Sequence, residues 1–142
     1  MPKRKGEARW DGTLQEGNGT MKVASGAYEG PFSFQSRFEE GEGTNPEELL
    51  AGAHAGCFSM ALSGDIARAG GDPEWVETEA TVHVNKVEAG FAIERVELVT
   101  RAKVPGMSDE DFQQAAEQAK ENCPVSQLFK GGSAEITLDA TL

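Results

Sequence analysis

The sequence predicts an α+β fold in a single domain spanning residues 1–142. Three observations support this prediction. Short β-type runs separated by glycine clusters fill the first third of the chain, a long apolar segment follows, and two stretches of alternating polar and apolar residues come next. A chain of 142 residues is long enough to bury a core without disulfides or a structural metal.

The first third of the chain is predicted to form a small β-meander. The three candidate strands are Gly6 to Trp10, Lys22 to Ser25 and Pro31 to Arg37. Clusters of glycine and asparagine between them, such as residues 16–19, are typical of turns. A charged glycine-rich loop over residues 39–44 then leads into the next element.

A long helix is predicted from the segment that begins at Asn45. Asn45 suits the N-cap, Pro46 the first helical position, and Glu47 and Glu48 the positive end of the helix dipole. Two glycines and a proline after Ala69 end it.

This helix is apolar on nearly every side, so it has to be covered all round. Gly52 and Gly56 lie four residues apart and allow another backbone to approach closely. Burial within one chain and burial against a second copy both satisfy the pattern. We favour a homodimer, because short strands cover such a helix poorly.

The second half continues the mixed pattern. Residues 76–84 and 96–104 alternate polar and apolar side chains and predict a hairpin with a turn near residues 88–90. Ser108 is the expected cap of a second, amphipathic helix. Alternation from Ala134 to Leu142 predicts a final strand.

The net charge of −11 repels phosphate backbones and anionic lipid surfaces, so neither nucleic acid nor a membrane is an expected partner. The apolar run from Leu49 to Gly64 is too short to span a bilayer. The basic first five residues lack a following apolar region, so no export signal is expected and the predicted location is cytoplasmic.

The two cysteines leave several interpretations open. Cys57 lies in the most apolar stretch, where a cysteine is either an inert filler or a reagent. Cys123 precedes Pro124 at a predicted helix start, where backbone N–H groups lower a thiol pKa, although it could also serve only as a poor N-cap. His54 is expected to bond a neighbouring backbone carbonyl.

Two other chemistries use the same residues. His54, Cys57, His83 and Cys123 could together hold a metal ion, but four residues would have to converge without any metal-site spacing. A cysteine–histidine hydrolase is less favoured still, because His54 shares a helix with Cys57 and would align poorly as its base.

Longer stretches resemble a known family. The segments "GTNPEELLAGAHAGCFSMAL" and "NCPVSQ", with "ARWDG", "FQSRFEEGEGTNPEEL", "NKVEAGFAI" and "AEITLDATL", are similar to the OsmC/Ohr family of organic hydroperoxide reductases, and to its OsmC branch. The resemblance covers essentially the whole chain. It implies the OsmC-like fold, with antiparallel sheets packed around a long central apolar helix, in an intertwined homodimer with active sites at the subunit interface.

The resemblance also implies residue roles. Cys57 would be the peroxidatic cysteine and Cys123 the resolving one, with Arg37 and Glu47 completing the site and Glu48 as the alternative acid. The cycle would pass through a Cys57 sulfenic acid and a Cys57–Cys123 disulfide, without metal or organic cofactor. An external dithiol, from a lipoylated or thioredoxin-like protein, would reopen the bridge.

An apolar setting favours organic hydroperoxides over hydrogen peroxide. The candidate substrate contacts are Phe58, Met60, Leu62, Phe38 and Phe129. The same setting predicts a raised pKa for Cys57, which the Arg37 guanidinium would offset. The competing interpretation is a non-catalytic thiol sensor or ligand-binding module on the same fold.

Helix geometry adds a constraint. Glu47 and Cys57 are ten residues apart, or about 15 Å along a continuous helix. Either the helix breaks near Gly52, or the Arg37 and Glu47 that serve a given Cys57 come from the partner subunit. We favour the second.

Overall fold

The computed structural model describes residues 2–132 and 134–140. These residues form two small antiparallel sheets and four helices. The elements in chain order are β1 (Gly6–Asp11), β2 (Asn18–Val23), β3 (Glu29–Ser33), α1 (Phe34–Phe38), α2 (Pro46–Arg68), β4 (Trp75–Val87), β5 (Gly90–Lys103), α3 (Asp109–Asn122) and α4 (Pro124–Phe129). The chain divides into two compact units, Met1–Leu50 with Val82–Glu94 and Ala51–Thr81 with Arg95–Leu142. The single domain therefore stays a prediction.

The first unit contains the predicted meander, in the order β1–β2–β3. Its antiparallel register pairs Gly6 with Val23 and Asn18 with Ser33. The predicted third strand was wrong beyond Ser33, where the chain turns into α1. Ser33 and Ser36 form a reciprocal capping box that satisfies the first N–H groups of a helical turn, and this local bonding outweighs the strand-like alternation.

The helix α2 runs unbroken from Pro46 to Arg68, as the caps predicted. The Asn45 side chain accepts from the N–H of Glu48 at 2.8 Å, which satisfies one free donor of the first turn. Gly70, with φ of +87°, ends the helix.

The long strands β4 and β5 form the predicted hairpin, and half-buried and exposed residues alternate over much of their length. A turn ahead of Gly90 joins them. The predicted cap of α3 is also confirmed, since Ser108 accepts from the N–H of Asp111 at 3.1 Å.

The core of the second unit is formed by two stripes with a spacing of four residues. One stripe lies on α2 and the other on α3, and the latter continues into Cys123. The buried residues are Phe58, Leu62, Ile66, Ala115, Ala119 and Cys123. Because i and i+4 lie on one helix face, each helix contributes a single apolar face to this cluster.

The predicted final strand was wrong for the residues described, because 134–140 carry no strand; Ser133, Thr141 and Leu142 lie outside the described residues. Ile136 and Leu138 are 93% and 88% exposed. Alternation is necessary for a half-buried strand, but a strand also needs a neighbour to accept its backbone hydrogen bonds.

No helix within residues 2–132 and 134–140 is long and apolar enough to cross a membrane.

Candidate active site

The two thiols meet within the second unit. Cys57 lies on α2 and Cys123 at the junction of α3 and α4, 66 positions later, and their Sγ atoms are 3.1 Å apart. Both are free cysteines; Cys57 is half-buried and Cys123 is fully buried. A disulfide requires the two sulfurs to close to about 2.05 Å, so a shift of about 1 Å would join them.

The environment of Cys57 opposes ionisation. Burial raises the pKa of the Cys57 thiol, and the neighbouring Cys123 sulfur raises it further, while the N–H of Val125 partly counteracts both. This confirms the direction predicted from the apolar sequence around Cys57. A positive group close to the sulfur would favour its thiolate and offset this effect.

Cys123 is the better-stabilised sulfur. Burial acts to raise its pKa, but the hydrogen bonds that it receives outweigh burial and lower the pKa below its ordinary value. The groups that lower it are the N–H and hydroxyl of Ser126, the neighbouring Cys57 thiol and the N–H of Val125. The Cys123 thiol also lies within donating distance of the Cys57 sulfur, at 3.1 Å.

Arg37 and Glu47 form a bidentate ion pair within the first unit. Arg37 Nε lies 3.1 Å from each carboxylate oxygen of Glu47, and Arg37 Nη2 lies 2.7 Å from Oε1. The Glu47 carboxylate is buried, while 35% of the Arg37 side chain is exposed. Glu48 instead accepts from the Thr44 hydroxyl at 2.5 Å. The acid that pairs with Arg37 is therefore Glu47.

Short-range bonds hold this ion pair in place. Arg37 occupies the last turn of α1 and Glu47 the first turn of α2. The Ser36 hydroxyl donates to the Thr44 carbonyl at 2.7 Å, and the Asn45 amide donates to the Ser36 carbonyl at 2.9 Å. These two bonds join the ends of the connecting loop and set the distance between the charged side chains.

The connecting loop also depends on one glycine. Gly43 has a φ of +107°, and a Cβ there would lie 2.7 Å from the Pro31 carbonyl oxygen. Only glycine accepts both the conformation and the close approach.

An apolar cleft of about 380 Å³ lies beside Arg37 in the same unit. It is lined by Trp10, Gly12, Leu14, Phe32, Ser33, Phe34, Arg37 and Phe38. The Phe38 ring stacks on Phe91 at 4.4 Å and lies 4.9 Å from the guanidinium carbon of Arg37. Phe38, a predicted substrate contact, therefore lies next to Arg37, which the family resemblance implies as a site residue.

The other predicted substrate contacts lie in the second unit and differ from one another. Phe58 and Leu62 are buried in the core, so their structural surroundings are those of packing residues. Met60 is 79% exposed, and Phe129 is half-buried with its ring 5.2 Å from the His54 ring. Their substrate role stays a prediction.

The sequence did not predict the buried polar contact between His54 and Ser126. His54 does not bond a neighbouring carbonyl as expected; its Nε2 lies 2.7 Å from the Ser126 hydroxyl, and both residues are buried. His54 precedes Cys57 by three residues and Ser126 follows Cys123 by three, so each shares a helical face or turn with one thiol. No local spacing connects positions 54 and 126.

The metal interpretation finds no support in the described part of the chain, where no three His, Cys, Asp or Glu side chains cluster in a way that could hold an ion.

Comparison with known proteins assigns the family. A family model described as OsmC-like protein matches residues 39–139. The chain belongs to the OsmC-like family. It is 46% identical over 140 residues to Peroxiredoxin OsmC of Escherichia coli strain K12, which covers 98% of this chain and 96% of that one. It is 35% identical over 102 residues to the Organic hydroperoxide resistance protein of Xanthomonas axonopodis pv. citri, covering 69% and 67%.

The OsmC-like fold is confirmed by solved structures. An organic hydroperoxide resistance protein from Elizabethkingia anophelis, crystallised with thiocyanate bound, matches with a TM-score of 0.65 and 28% identity over 89% of each chain. An OsmC-like protein of Vibrio cholerae matches with a TM-score of 0.70 at 16% identity, which bears on the fold alone. The family prediction made from the sequence motifs is thus confirmed.

Proposed function

We propose that this OsmC-like chain is a thiol peroxidase that reduces organic hydroperoxides to alcohols in defence against oxidative stress. The names of its relatives, a peroxiredoxin and an organic hydroperoxide resistance protein, support this activity. The observation that carries the proposal is the pair of free thiols with sulfurs 3.1 Å apart. A two-electron oxidant can convert such a pair into a disulfide.

The proposed cycle begins at Cys57, the more exposed of the two cysteines. Its thiolate attacks a peroxide oxygen, the O–O bond breaks, and the departing alkoxide takes a proton to leave as the alcohol. Cys123 then attacks the resulting sulfenic sulfur: the S–S bond forms, the S–O bond breaks, and hydroxide leaves as water after taking a proton. An external dithiol reduces the disulfide by exchange and is itself oxidised.

Arg37 and Glu47 are proposed to activate Cys57. A guanidinium stays charged at neutral pH and can both stabilise a thiolate and hold peroxide oxygens. The bidentate bond from Glu47 restricts the orientation of Arg37 and leaves part of its side chain exposed. We propose this guanidinium as the positive group that offsets the raised pKa of Cys57.

A homodimer in which each Arg37–Glu47 pair serves the partner's thiol is supported by two features. The helix α2 has no break at Gly52, so Glu47 and Cys57 of one chain are about 15 Å apart along it. Met60 is 79% exposed in the middle of α2, and Gly52 and Gly56 on the same stripe have open space beside them. An exposed apolar stripe of this kind suits burial against a second copy.

The apolar cleft beside Arg37 favours an alkyl or aryl hydroperoxide as the substrate. The reductant is proposed to be a lipoylated or thioredoxin-like dithiol. A cycle of this kind operates in a compartment that keeps dithiols reduced, which agrees with the expected cytoplasmic location.

Thiol titration tests the proposal. Reduced protein is treated with one equivalent of cumene hydroperoxide per chain, and free thiols are counted before and after. Loss of two thiols per chain, followed by repeated turnover when dihydrolipoamide is added, is the expected result. Unchanged thiols would overturn the proposal, and oxidation without turnover would indicate a redox sensor instead.

A further inference from the structure

The structure contains a buried polar connection between the two helices that carry the thiols. His54 Nε2 and the Ser126 hydroxyl are 2.7 Å apart, although the residues are 72 positions apart in the chain. His54 is only 4% exposed and Ser126 5%. Ser126 follows Cys123 by three residues and lies in the first turn of α4, and its hydroxyl is one of the groups that lower the pKa of the Cys123 thiol. The Ser126 hydroxyl therefore lies between a buried imidazole and the second thiol.

The other ring nitrogen of His54 indicates which of His54 and Ser126 donates the hydrogen bond. His54 Nδ1 is buried and has no hydrogen-bond partner in the described chain. Burial lowers the pKa of His54, so the neutral ring with a single N–H is the favoured form. If Nε2 only accepted from Ser126, the proton would sit on Nδ1 as a buried donor without an acceptor.

The opposite tautomer leaves no buried N–H without an acceptor. With the proton on Nε2, His54 donates to the Ser126 oxygen, and the unpaired ring atom is a lone pair, which is tolerated more readily than an orphaned N–H. The Ser126 hydroxyl proton is then free to point at the Cys123 sulfur. Consecutive donors in a buried chain polarise one another and strengthen the final bond.

We propose that His54 is a positioning residue for Cys123: it holds the Ser126 hydroxyl as a donor to the sulfur and so favours the Cys123 thiolate as attacking and leaving group. This inference rests on the proposed function and extends it to the resolving step. In that step the Cys123 thiolate attacks the Cys57 sulfenic sulfur, the S–S bond forms and the S–O bond breaks. The hydroxide takes a proton and leaves as water.

The same arrangement indicates which sulfur of the disulfide the external dithiol attacks. In thiol–disulfide exchange the sulfur with the better-stabilised thiolate is the better leaving group. Cys123 is fully buried and receives the Ser126 bonds, whereas Cys57 is half-buried. The incoming dithiol is therefore expected to form its mixed disulfide with Cys57 and to release Cys123.

The test compares His54→Leu, which removes the ring donor, with His54→Gln, whose amide can still donate to Ser126. After one equivalent of cumene hydroperoxide, rapid-quench trapping of the sulfenic acid with dimedone measures both steps. We expect His54→Leu to slow disulfide formation about tenfold, because the Ser126 hydroxyl is no longer held as a donor to the charged sulfur, and to affect oxidation of Cys57 far less. His54→Gln should restore most of the rate.

A second readout is the pKa of Cys123, measured by thiolate absorbance in the Cys57→Ser background. It should rise with His54→Leu and return towards its starting value with His54→Gln. A purely structural role for His54 would leave this pKa in place, and that result would overturn the proposal.

If His54→Leu does not fold, Ser126→Ala provides an independent test of the same hydrogen bond. It removes the hydroxyl and should produce the same slowing, and the double variant should be no slower than either single one. Ser59→Ala is the matched control, since it removes a hydroxyl bonded to Thr78 at 2.8 Å from the same helix as His54. Disulfide formation at the parent rate in Ser126→Ala would refute the inference, whereas failure of the unaltered protein to oxidise would refute the proposed function.

Discussion

The Arg37–Glu47 pair and the Cys57–Cys123 pair are assembled by different means. Arg37 and Glu47 are ten positions apart and are brought together by a capping box, an N-cap and a short loop. Cys57 and Cys123 are 66 positions apart and meet because α2 and α3 pack their apolar stripes together. The first pair depends on local hydrogen bonds, whereas the second depends on the core of its unit. Substitutions can therefore separate activation of the thiol from the thiol chemistry itself.

Loss of the peroxidatic sulfur should have the largest effect. Cys57→Ser is expected to lower hydroperoxide reduction about a thousandfold or more, because a nucleophile is removed. Cys123→Ser is the matched variant and should still consume one equivalent of peroxide. Stopped-flow consumption of cumene hydroperoxide measures both. The opposite result, with Cys57→Ser active and Cys123→Ser inactive, would exchange the two roles.

Loss of the guanidinium should come next. Arg37→Ala is expected to slow oxidation of Cys57 about a hundredfold, the size of one or two charge-assisted hydrogen bonds. Arg9→Ala is a close control, because Arg9 makes a similar bidentate bond to Asp11, at 2.8 to 3.1 Å, on the exposed surface of the same unit. Equal rates for Arg37→Ala and the parent would remove Arg37 from the site.

A mixing experiment tests which subunit supplies Arg37. Arg37→Ala and Cys57→Ser proteins are unfolded together and refolded, so that about half of the dimers contain one chain of each. If Arg37 serves the partner's thiol, each mixed dimer has one complete site and about a quarter of the parent activity returns. Activity no higher than the sum of the two separate variants would place Arg37 and Cys57 of one site on the same chain.

Removing the Glu47 charge should have a smaller effect. Glu47→Gln leaves Arg37 in place but weakens the bond that orients it, so oxidation of Cys57 is expected to slow about tenfold. Glu48→Gln is the neighbouring control, because Glu48 bonds Thr44 rather than Arg37. Similar slowing in both variants, measured by the same stopped-flow assay, would show that general charge near α1 matters and not the specific pair.

The smallest expected effect is a pH dependence of the free energy of unfolding, caused by His54 in the second unit. Burial lowers the pKa of His54 from its ordinary value of 6.5. As the pH falls below 6.5 the unfolded chain binds this proton first, so the free energy of unfolding decreases until the pH passes the pKa of the folded chain. Urea unfolding between pH 7.5 and pH 5 should show a weaker decrease in His54→Gln. An identical decrease in both proteins would exclude His54 as its source.

The local elements could be predicted from the sequence because their causes are local. Asn45 caps α2 and Ser108 caps α3 through their own side chains, and the residue patterns around them are sufficient to identify both helices. The same reasoning failed at Phe34, where a strand-like alternation competed with the capping box of Ser33 and Ser36. It also failed for residues 134–140, since alternation does not supply a neighbouring strand.

The candidate site was predictable only in part. The family resemblance implied roles for both cysteines, Arg37 and Glu47, with Glu48 as the alternative acid, and the structure pairs Glu47 with Arg37. Phe58 was predicted as a substrate contact from its apolar character and is buried in the core. An apolar side chain near a thiol serves packing or binding equally well, so its burial has to be seen.

The sequence by itself determined the family, the α+β class, the helix caps and the apolar setting that raises the pKa of Cys57. Each of these depends on residue type and on neighbours within a few positions along the chain. Only the tertiary structure decided that the two sulfurs approach to 3.1 Å and that His54 bonds Ser126 across 72 positions. Such contacts depend on how separate helices pack, and no local spacing encodes that packing.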